Sequence, residues 1–244
     1  MLERWLVFFY GVFSYVVGLI GQIWLIFYIS DWDIVSRNIN MQQELSTPVA
    51  LLIDLGLIAL FGLQHSGMAR QGFKRVIIRF IPEASERSTY VLLSGLTFIV
   101  MCFFYQPVDG YLWKVEEGAG KWLLEFGFVF GWSLSVYASF IINHFELFGL
   151  QQVYFHLRGQ EAKPVVFKER QLYRYIRHPI QLGVLLGVWL TPVMSYGHLV
   201  LAAGFTVYIF LGLYYEEKDL VKELGKVYAD YKKRVGMMMP RGRK

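Results

Sequence analysis

The sequence predicts an all-α, polytopic integral membrane protein with about six transmembrane helices. Of its 244 residues, 55% are hydrophobic and 18% are aromatic, and the mean hydropathy of +0.40 exceeds that of an ordinary soluble domain. Several stretches with few or no charged residues approach the roughly 20 residues that a helix needs to cross about 30 Å of hydrocarbon. The positions of the basic residues agree with the same topology.

Four predicted spans occupy the first 142 residues. Trp5–Ile29 contains no charged residue, and it is too long for the apolar part of a signal peptide. Its glycines at positions 11, 18 and 21 predict a face that packs closely on a neighbouring helix. The other three spans are roughly Pro48–Gln64, Thr89–Tyr105 and Lys121–Ile142.

The last two predicted spans form a hairpin. From Ile180 to Tyr215 the chain has 36 residues without Asp, Glu, Lys or Arg, and a single helix of that length would measure about 54 Å, too long for one crossing. Pro192 and Gly197 supply the break. The polar groups at the two ends therefore return to the same membrane face, where we expect a site. A C-terminal amphipathic cytoplasmic helix follows, with an apolar stripe at Leu220, Leu224, Tyr228 and Tyr231.

The charge pattern predicts that both termini are cytoplasmic. In that orientation all but three of the 24 Lys and Arg residues lie in inner segments, as the positive-inside rule requires. Topology and contact with anionic lipid then explain the net charge of +5 without a nucleic-acid partner. The single cysteine, Cys102, cannot form an intrachain disulfide, and the sequence has no metal-ligand cluster and no phosphate-binding loop. We infer no obligatory protein partner.

Two histidines at predicted cytoplasmic helix ends are candidate catalytic residues. His65 ends the second span, which also carries Asp54 on the same helical face. His144 ends the fourth span, beside Asn143 and Glu146. An ionisable residue within a span suggests function, although Asp54 is equally suited to a structural hydrogen bond. A lone histidine at a membrane boundary is more often an ordinary interfacial residue.

A third histidine opens the hairpin. Arg170, Arg174 and His178 are spaced four residues apart, which predicts a helix that presents all three on one side. Pro179 then turns the chain, because proline disfavours helix for the residue before it. At the exit of the hairpin, the pair at 216–217 offers a carboxylate to a cationic or hydroxyl-bearing ligand.

These residues resemble the membrane methyltransferases related to isoprenylcysteine carboxyl methyltransferase. That family has an Arg-His-Pro-x-Tyr-x-Gly element and a later Glu-Glu-x-x-Leu-x-x-x-Phe-Gly-x-x-Tyr-x-x-Tyr element. The matching residues are Arg177, His178, Pro179, Gly183, Glu216, Glu217, Leu220, Gly225, Tyr228 and Tyr231. The chain departs from the pattern at Gln181, where tyrosine is usual, and at Leu224, where phenylalanine is usual.

The resemblance implies that the two elements enclose S-adenosylmethionine. One of the two glutamates would bind the ribose hydroxyls or the amino group, an arginine would bind the carboxylate, and two tyrosine rings would pack on the adenine. The expected cofactor-binding residues are Arg174, Arg177, His178, Pro179, Gln181, Leu182, Gly183, Glu216, Glu217, Tyr228 and Tyr231. We expect a single domain, with residues 1–142 as scaffold and substrate chamber and residues 143–244 as the cofactor-binding part.

Over its whole length the chain resembles the branch of this family that methylates methanethiol to dimethyl sulfide in bacterial membranes. Four strings carry this resemblance, at residues 64–70, 86–90, 143–150 and 177–183. They imply in-line methyl transfer to the thiol sulfur in the inner membrane. His144 or His65 would be the general base, and Glu146 or Asp54 would orient it.

Two other functions remain open. A methyltransferase of the same fold acting on a larger lipid thiol or carboxylate would need a wide lateral opening between spans. A haem-binding or non-catalytic membrane protein would use histidines as ligands, but one of the four candidates is predicted at the opposite membrane face. Those candidates are His65, His144, His178 and His198.

Overall fold

The computed structural model describes residues 1–30, 32, 34–161, 167 and 169–241. The described chain is mainly helical, with one pair of short strands. The elements are α1 (Leu2–Ile29), α2 (Thr47–Ala69), α3 (Gln71–Ile77), α4 (Glu86–Phe104), β1 (Tyr111–Lys114), α5 (Gly118–Ile142), α6 (His144–Leu147), α7 (Leu150–Arg158), α8 (Pro179–Trp189), β2 (Val193–Ser195), α9 (Tyr196–Leu224) and α10 (Lys226–Arg234). Single 3₁₀ turns form at Glu83–Ser85 and Gln171–Arg174.

Five helices in the described part of the chain are long and apolar enough to cross a membrane. They are α1, α2, α4 with the turn before it, α5 and α9. The first four coincide with the first four predicted spans. The fifth predicted span is only partly helical, because α8 has 11 residues and rises about 16 Å, roughly half the hydrocarbon thickness. The predicted count of six spanning helices is therefore not confirmed.

The chain divides into two compact units that interleave along the sequence. The first unit comprises 1–114, 144–164 and 193–201. The second comprises 115–143, 165–192 and 202–244. The segment that carries His144 therefore belongs with the first three long helices, whereas the Arg-His-Pro and Glu-Glu elements both belong to the second unit. The division into residues 1–142 and 143–244 stays a prediction.

Glycines bring α1 and α4 into close contact in the first unit. A methyl group on Gly21 would lie 2.9 Å from Cα of Gly95, and one on Gly95 would lie 2.6 Å from Cα of Gly18. Two helix backbones can approach this closely only where side chains are missing. The predicted glycine packing face of the first span is confirmed, and its partner is α4 at Gly18 and Gly21 and α7 at Gly11.

A second glycine contact joins α5 to α8 in the second unit. A methyl group on Gly183 would lie 2.6 Å from the backbone nitrogen of Ser135. One on Gly131 would lie 2.8 Å from the carbonyl oxygen of Gly183. The glycine of the Arg-His-Pro element therefore has a helix-packing role, which family resemblance alone does not reveal.

The predicted hairpin is confirmed in its connection, although only part of its first limb is helical. After α8 the chain runs extended through Pro192 and β2 and then enters α9 at Tyr196, within the predicted break. Six residues of extended chain add about 20 Å to the 16 Å of α8. The total of about 36 Å is long enough for residues before α8 to meet Glu217, which lies about 32 Å along α9. In addition, Trp189 donates a hydrogen bond from Nε1 to Oγ1 of Thr206, at 2.9 Å.

The all-α prediction missed the two-stranded antiparallel sheet of the first unit. β1 pairs with β2 in a register that joins Tyr111 to Ser195 and Lys114 to Val193. The residue before β1, Gly110, has φ of +94° and lies against the ring of Tyr196, a backbone conformation that favours glycine. The alternation of polar and apolar residues around Trp113 is too short to predict a strand, because β1 has only four residues.

The glycine contact between α1 and α4 generates a stability prediction. We expect Gly21→Ala to lower the free energy of unfolding by about 1–3 kcal/mol, because the added methyl overpacks a backbone contact. Gly56→Ala is the matched control, since nothing lies within 4 Å of the added carbon at that position of α2. Thermal unfolding of both variants in the same detergent is the measurement. Equal melting temperatures for the two variants would contradict the packing role.

Candidate active site

A buried glutamate joins the two polar elements of the hairpin. Glu217 is 2% exposed, and its Oε1 accepts hydrogen bonds from Nε of Arg177 at 2.6 Å and from the His178 ring at 3.1 Å. Its Oε2 lies 2.7 Å from Nζ of Lys232. This arrangement, which we call the Glu217 cluster, confirms that the residues before and after the apolar segment come together.

The C-terminal segment holds Arg177 in place from the other side. The guanidinium donates from Nη1 to the carbonyl of Lys232 at 3.0 Å and also to the carbonyl of Val235. The backbone nitrogen of Arg177 donates to the carbonyl of Gly236, and that of His178 to the carbonyl of Met237. A buried guanidinium is stable only when its donors are satisfied, so the cluster needs the chain after α10.

The predicted helix through Arg170, Arg174 and His178 is wrong. The structure has only a 3₁₀ turn at Gln171–Arg174, and Ile176 pairs with Gly236 like a residue in a strand. The backbone amides of Arg177 and His178 donate to the C-terminal segment, so they are unavailable for the hydrogen bonds of a helix. The prediction that Pro179 disfavours helix at His178 is confirmed, since His178 has φ of -128° and ψ of 63° and Pro179 occupies the first turn of α8.

Two tyrosines of the second element are buried in a small core. Tyr228 and Tyr231 are each 2% exposed, and both rings pack near Phe167, at 5.8 and 5.0 Å between ring centroids. The Tyr231 hydroxyl donates to the carbonyl of Tyr173 at 2.6 Å. Burial raises the pKa of Tyr231 to about 12. The predicted apolar stripe packs together here, but Gly225, with φ of +60°, separates α9 from α10.

The remaining cofactor candidates differ in exposure. Arg174 and Glu216 are exposed, Gln181 and Leu182 are half-buried, and Pro179 is buried. Arg177 and Glu217 bind each other inside the Glu217 cluster. Arg174 and Glu216 are the exposed members of the two pairs, and their side chains are directed away from the cluster. Sequence alone could not separate Arg174 from Arg177, or Glu216 from Glu217.

Two histidines of the first unit, His65 and His144, are each hydrogen-bonded to a tyrosine. In α2, His65 lies 2.5 Å from the Tyr90 hydroxyl through Nε2 and 3.1 Å from Oγ of Ser94 through Nδ1. His144 starts α6 and lies 2.9 Å from the Tyr15 hydroxyl through Nε2. The Nε2 atom of each ring thus has a protein partner, as does that of His178, and these atoms give no support to the haem alternative.

The electrostatic state of His144 follows from its surroundings. The side chain is 6% exposed, and the rings of Phe148 and Phe145 lie 4.5 and 5.6 Å away. Burial lowers the pKa of His144, because a charged imidazolium loses its hydration there. The ring is therefore neutral at pH 7, and one of its nitrogens can accept a proton.

Three of the strings singled out in the sequence converge around these histidines. Met68, Tyr90 and Val91 form one buried cluster, and Phe148 packs on it. Arg87 donates to the carbonyl of Leu147 at 2.6 Å. Residues 64–70, 86–90 and 143–150 thus meet in one aromatic region of the first unit.

The two carboxylates proposed to orient the histidines lie in different settings. Asp54 is fully buried and accepts a hydrogen bond from the backbone nitrogen of Gln106 at 2.7 Å. Arg37 donates to the carbonyl of Tyr105 at 3.0 Å, so one peptide group lies between a guanidinium and a carboxylate. Glu146 is half-buried, in the same short helix as His144. The orienting roles of both carboxylates stay predictions.

Sequence reasoning missed four side chains that contact the candidate residues. Tyr15 lies in an aromatic-rich span where packing is the default interpretation, and Lys232 belongs to a basic run typical of a solvated surface. Tyr90 lies in one of the quoted strings, but nothing in a single sequence indicates its hydrogen bond. The four are Tyr15, Tyr90, Ser94 and Lys232.

The Glu217 cluster generates a second prediction. We expect Glu217→Gln to destabilise the protein by about 3–5 kcal/mol, because the change leaves the buried guanidinium of Arg177 without its counter-ion. Glu216→Gln, an exposed position on the same helix, is the control and should cost less than about 0.5 kcal/mol. Thermal unfolding in detergent measures both. Equal stability of the Glu217→Gln and Glu216→Gln proteins would contradict the stabilising role of the cluster.

Comparison with known proteins finds relatives that match almost the whole chain. A protein named methanethiol S-methyltransferase from Mycobacterium tuberculosis is 40% identical over 98% of this chain and 98% of its own length. One of the same name from a Pseudomonas species is 42% identical over 95% of this chain and 89% of its own length. Nurim from Xenopus laevis is 33% identical over 80% of this chain and 67% of its own length.

No family model and no solved structure matches the chain. The relatives therefore carry the assignment, and the two methanethiol S-methyltransferases match 98% and 95% of this chain. Matches at 40–42% identity that run nearly from end to end of both proteins are sufficient for it. The chain belongs to the methanethiol S-methyltransferase family.

Proposed function

We propose that this protein is an S-adenosylmethionine-dependent enzyme that methylates the sulfur of methanethiol and so produces dimethyl sulfide. The full-length similarity to relatives that carry the name methanethiol S-methyltransferase supports the reaction. The joining of the Arg-His-Pro and Glu-Glu elements at Glu217 supports the methyl donor, because that pair of elements is the one whose resemblance implies it.

The side chains of the second unit fit the chemistry of this donor. S-adenosylmethionine supplies an activated methyl group, and it presents a carboxylate, an amino group and ribose hydroxyls for recognition. Arg174 is exposed and suits the carboxylate, and Glu216 is exposed and suits the amino group or the hydroxyls. His178, fixed by Glu217, lies with Gln181 and Leu182 at the start of α8. We assign Arg177 and Glu217 to holding this framework.

Tyr228 and Tyr231 have a different assignment from the one implied by the family. Their rings pack on each other and on Phe167, so their role in this proposal is to support the segment that carries Lys232. Stacking on adenine would require part of that core to open. Gly183 likewise serves the contact with α5.

The thiol needs a proton acceptor. The nearest reference, the cysteine side chain, has a pKa of about 8.5, so methanethiol is mainly protonated at pH 7. We propose that neutral His144 accepts this proton, with His65 as the second candidate. Because the pKa of His144 is lowered below its ordinary value of about 6.5, His144 rarely deprotonates free methanethiol. Formation of the carbon–sulfur bond makes the sulfur proton far more acidic. Proton transfer to His144 therefore accompanies methyl transfer.

A substrate as small as methanethiol offers little binding energy, so its selection depends on the shape and polarity of the pocket. The aromatic side chains around His144 and His65 provide an apolar surface with few polar atoms. Exclusion of water there keeps the base neutral. Tyr15 and Tyr90 fix the two imidazole rings, and Glu146 and Asp54 are the proposed orienting carboxylates.

We further propose that the protein lies in a bacterial inner membrane with both termini in the cytoplasm. Five helices of suitable length support membrane insertion. The concentration of basic residues in the segments predicted to be cytoplasmic supports the orientation.

The reaction is tested by head-space detection of dimethyl sulfide from purified protein given S-adenosylmethionine and methanethiol. We expect His144→Ala to lower kcat/KM by about 10²- to 10⁴-fold, the usual contribution of a general base. His178→Ala should weaken binding of S-adenosylmethionine, measured separately by calorimetry. His156→Ala, on α7 and outside the aromatic region, is the control and should keep near-normal activity.

Each outcome of this assay has a distinct meaning. Binding of the cofactor without any dimethyl sulfide would retain the methyltransferase and exclude methanethiol as its substrate. Absence of cofactor binding would contradict the donor assignment. Full activity in His144→Ala with loss in His65→Ala would transfer the base to the other tyrosine-bound histidine.

The lowered pKa of His144 also predicts the pH dependence. A base is active when it is deprotonated, so activity is present above its folded pKa and is lost as the pH falls through that value. Because burial places this pKa below about 6.5, we expect kcat/KM to stay level from pH 7.5 to 6.5 and to fall only at lower pH. An inflection above pH 6.5 that disappears in His144→Ala would contradict the burial argument.

A further inference from the structure

The first turn of α1 and the last turn of α7 lie together in the first unit. A methyl group on Gly11 would lie 2.8 Å from Cγ1 of Val153, and one on Gly159 would lie 2.6 Å from Nη1 of Arg4. The contacts run in opposite directions along the two helices, so α1 and α7 pack antiparallel. Positions 4 and 158 are thereby brought to the same end of the pair.

The end of α7 is closed in a way that fixes this geometry. Gly159 has φ of +67° and donates to the carbonyl of His156, while the next amide, of Gln160, donates to the carbonyl of Phe155. These are the two hydrogen bonds of a Schellman motif, which ends a helix at a left-handed glycine. Arg158 is therefore held in a defined last turn beside the start of α1.

A cavity of about 480 Å³ lies between these two helix ends. It is lined by Met1, Arg4, Trp5, Tyr154, Leu157 and Arg158. Its volume falls within the range of small-molecule sites. The lining combines two guanidinium groups with apolar and aromatic side chains, which is the composition expected for an anion attached to an apolar group.

Neither arginine has a counter-ion among the residues that the structure describes. The ion pairs at Lys121–Glu125, around Glu217 and at residues 230–234 all lie in the second unit. Arg4 and Arg158 are both exposed. Two like charges at one cavity repel each other unless an anion comes between them, so the cavity is electrostatically prepared for a negatively charged ligand.

The position of the cavity indicates which anion it takes. It lies at the first turn of α1, a helix long and apolar enough to cross a membrane. Trp5 and Tyr154 are 44% and 47% exposed, and such rings are typical of the membrane–water boundary. The neighbouring surface of α1 presents Leu6 and Phe9 outward, 62% and 61% exposed. An anion at this depth has acyl chains beside it.

We propose that this cavity is a binding site for the phosphate headgroup of an anionic phospholipid. Arg4 and Arg158 bind the phosphate oxygens, since guanidinium groups form paired hydrogen bonds with phosphate. Trp5 and Tyr154 pack along the glycerol region, and the acyl chains extend along the exposed apolar side of α1. None of the lining residues is among the proposed methyl-transfer residues.

The test compares lipids with purified protein in mixed micelles. Phosphatidylglycerol and phosphatidylcholine are titrated separately, and binding is followed by thermal shift and by native mass spectrometry. We expect phosphatidylglycerol to stabilise the wild type and the Arg4→Gln/Arg158→Gln variant to bind it about thirtyfold more weakly, because each basic side chain contributes about fivefold near an anionic headgroup. Phosphatidylcholine should bind weakly to both.

Arg75→Gln/Arg79→Gln is the matched control, since it removes the same charge at exposed positions outside the cavity. It should keep wild-type affinity for phosphatidylglycerol within about twofold. Arg158→Gln alone is a second, milder variant. A cooperative unfolding transition near the wild-type melting temperature, measured without added lipid, shows that this variant is folded. About fivefold weaker binding in this single variant would support the site.

Two results would overturn the proposal. Equal affinity of the cavity variants and the wild type for phosphatidylglycerol would show that the arginines do not form the site. Stabilisation by inorganic phosphate at the same concentration, lost in the cavity variants, would show that the site takes free phosphate and that the lipid assignment is wrong.

Discussion

The buried carboxylate of Glu217 is the interaction on which the second unit depends. Removing a carboxylate from water costs several kcal/mol unless hydrogen bonds replace its hydration. Glu217 recovers that cost from Arg177 and His178, which directly precede α8, and from Lys232 in α10. The start of α8, the body of α9 and α10 are thereby fixed to one another. The exposed polar residues beside the cluster, Arg174 and Glu216, acquire defined positions only because this network is in place.

The first unit uses polar groups differently. Its two candidate bases, His65 and His144, each share a hydrogen bond with a tyrosine hydroxyl in aromatic surroundings. Burial lowers the pKa of His144 and keeps that ring neutral at pH 7. The two units thus suit different chemistry, with charge recognition in one and a neutral proton acceptor in the other.

The sequence predicted the helices and the meeting of the two polar elements, because apolar length and the placement of charged residues are local signals. It failed where long-range contacts decide. The helix through Arg174 did not form because Gly236 and Met237 take the amides that it would need. The strand around Trp113 depends on a partner about 80 residues away. Gly183 resembled a ligand-lining residue, but only the structure revealed its contact with α5, and no local signal separates Glu216 from Glu217.

The peptide group between Tyr105 and Gln106, placed between Arg37 and Asp54, has a consequence for how the chain is made. Asp54 lies in a helix that leaves the ribosome 52 residues before the amide that satisfies it. At about 5–20 residues per second that interval lasts several seconds. During it, a carboxylate in α2 that costs about 2.5–3.5 kcal/mol to place at the centre of a bilayer has no partner. We therefore expect α2 to reach its full stability in the lipid only after α4 and residue 106 have emerged, when the backbone amide of Gln106 can bind Asp54.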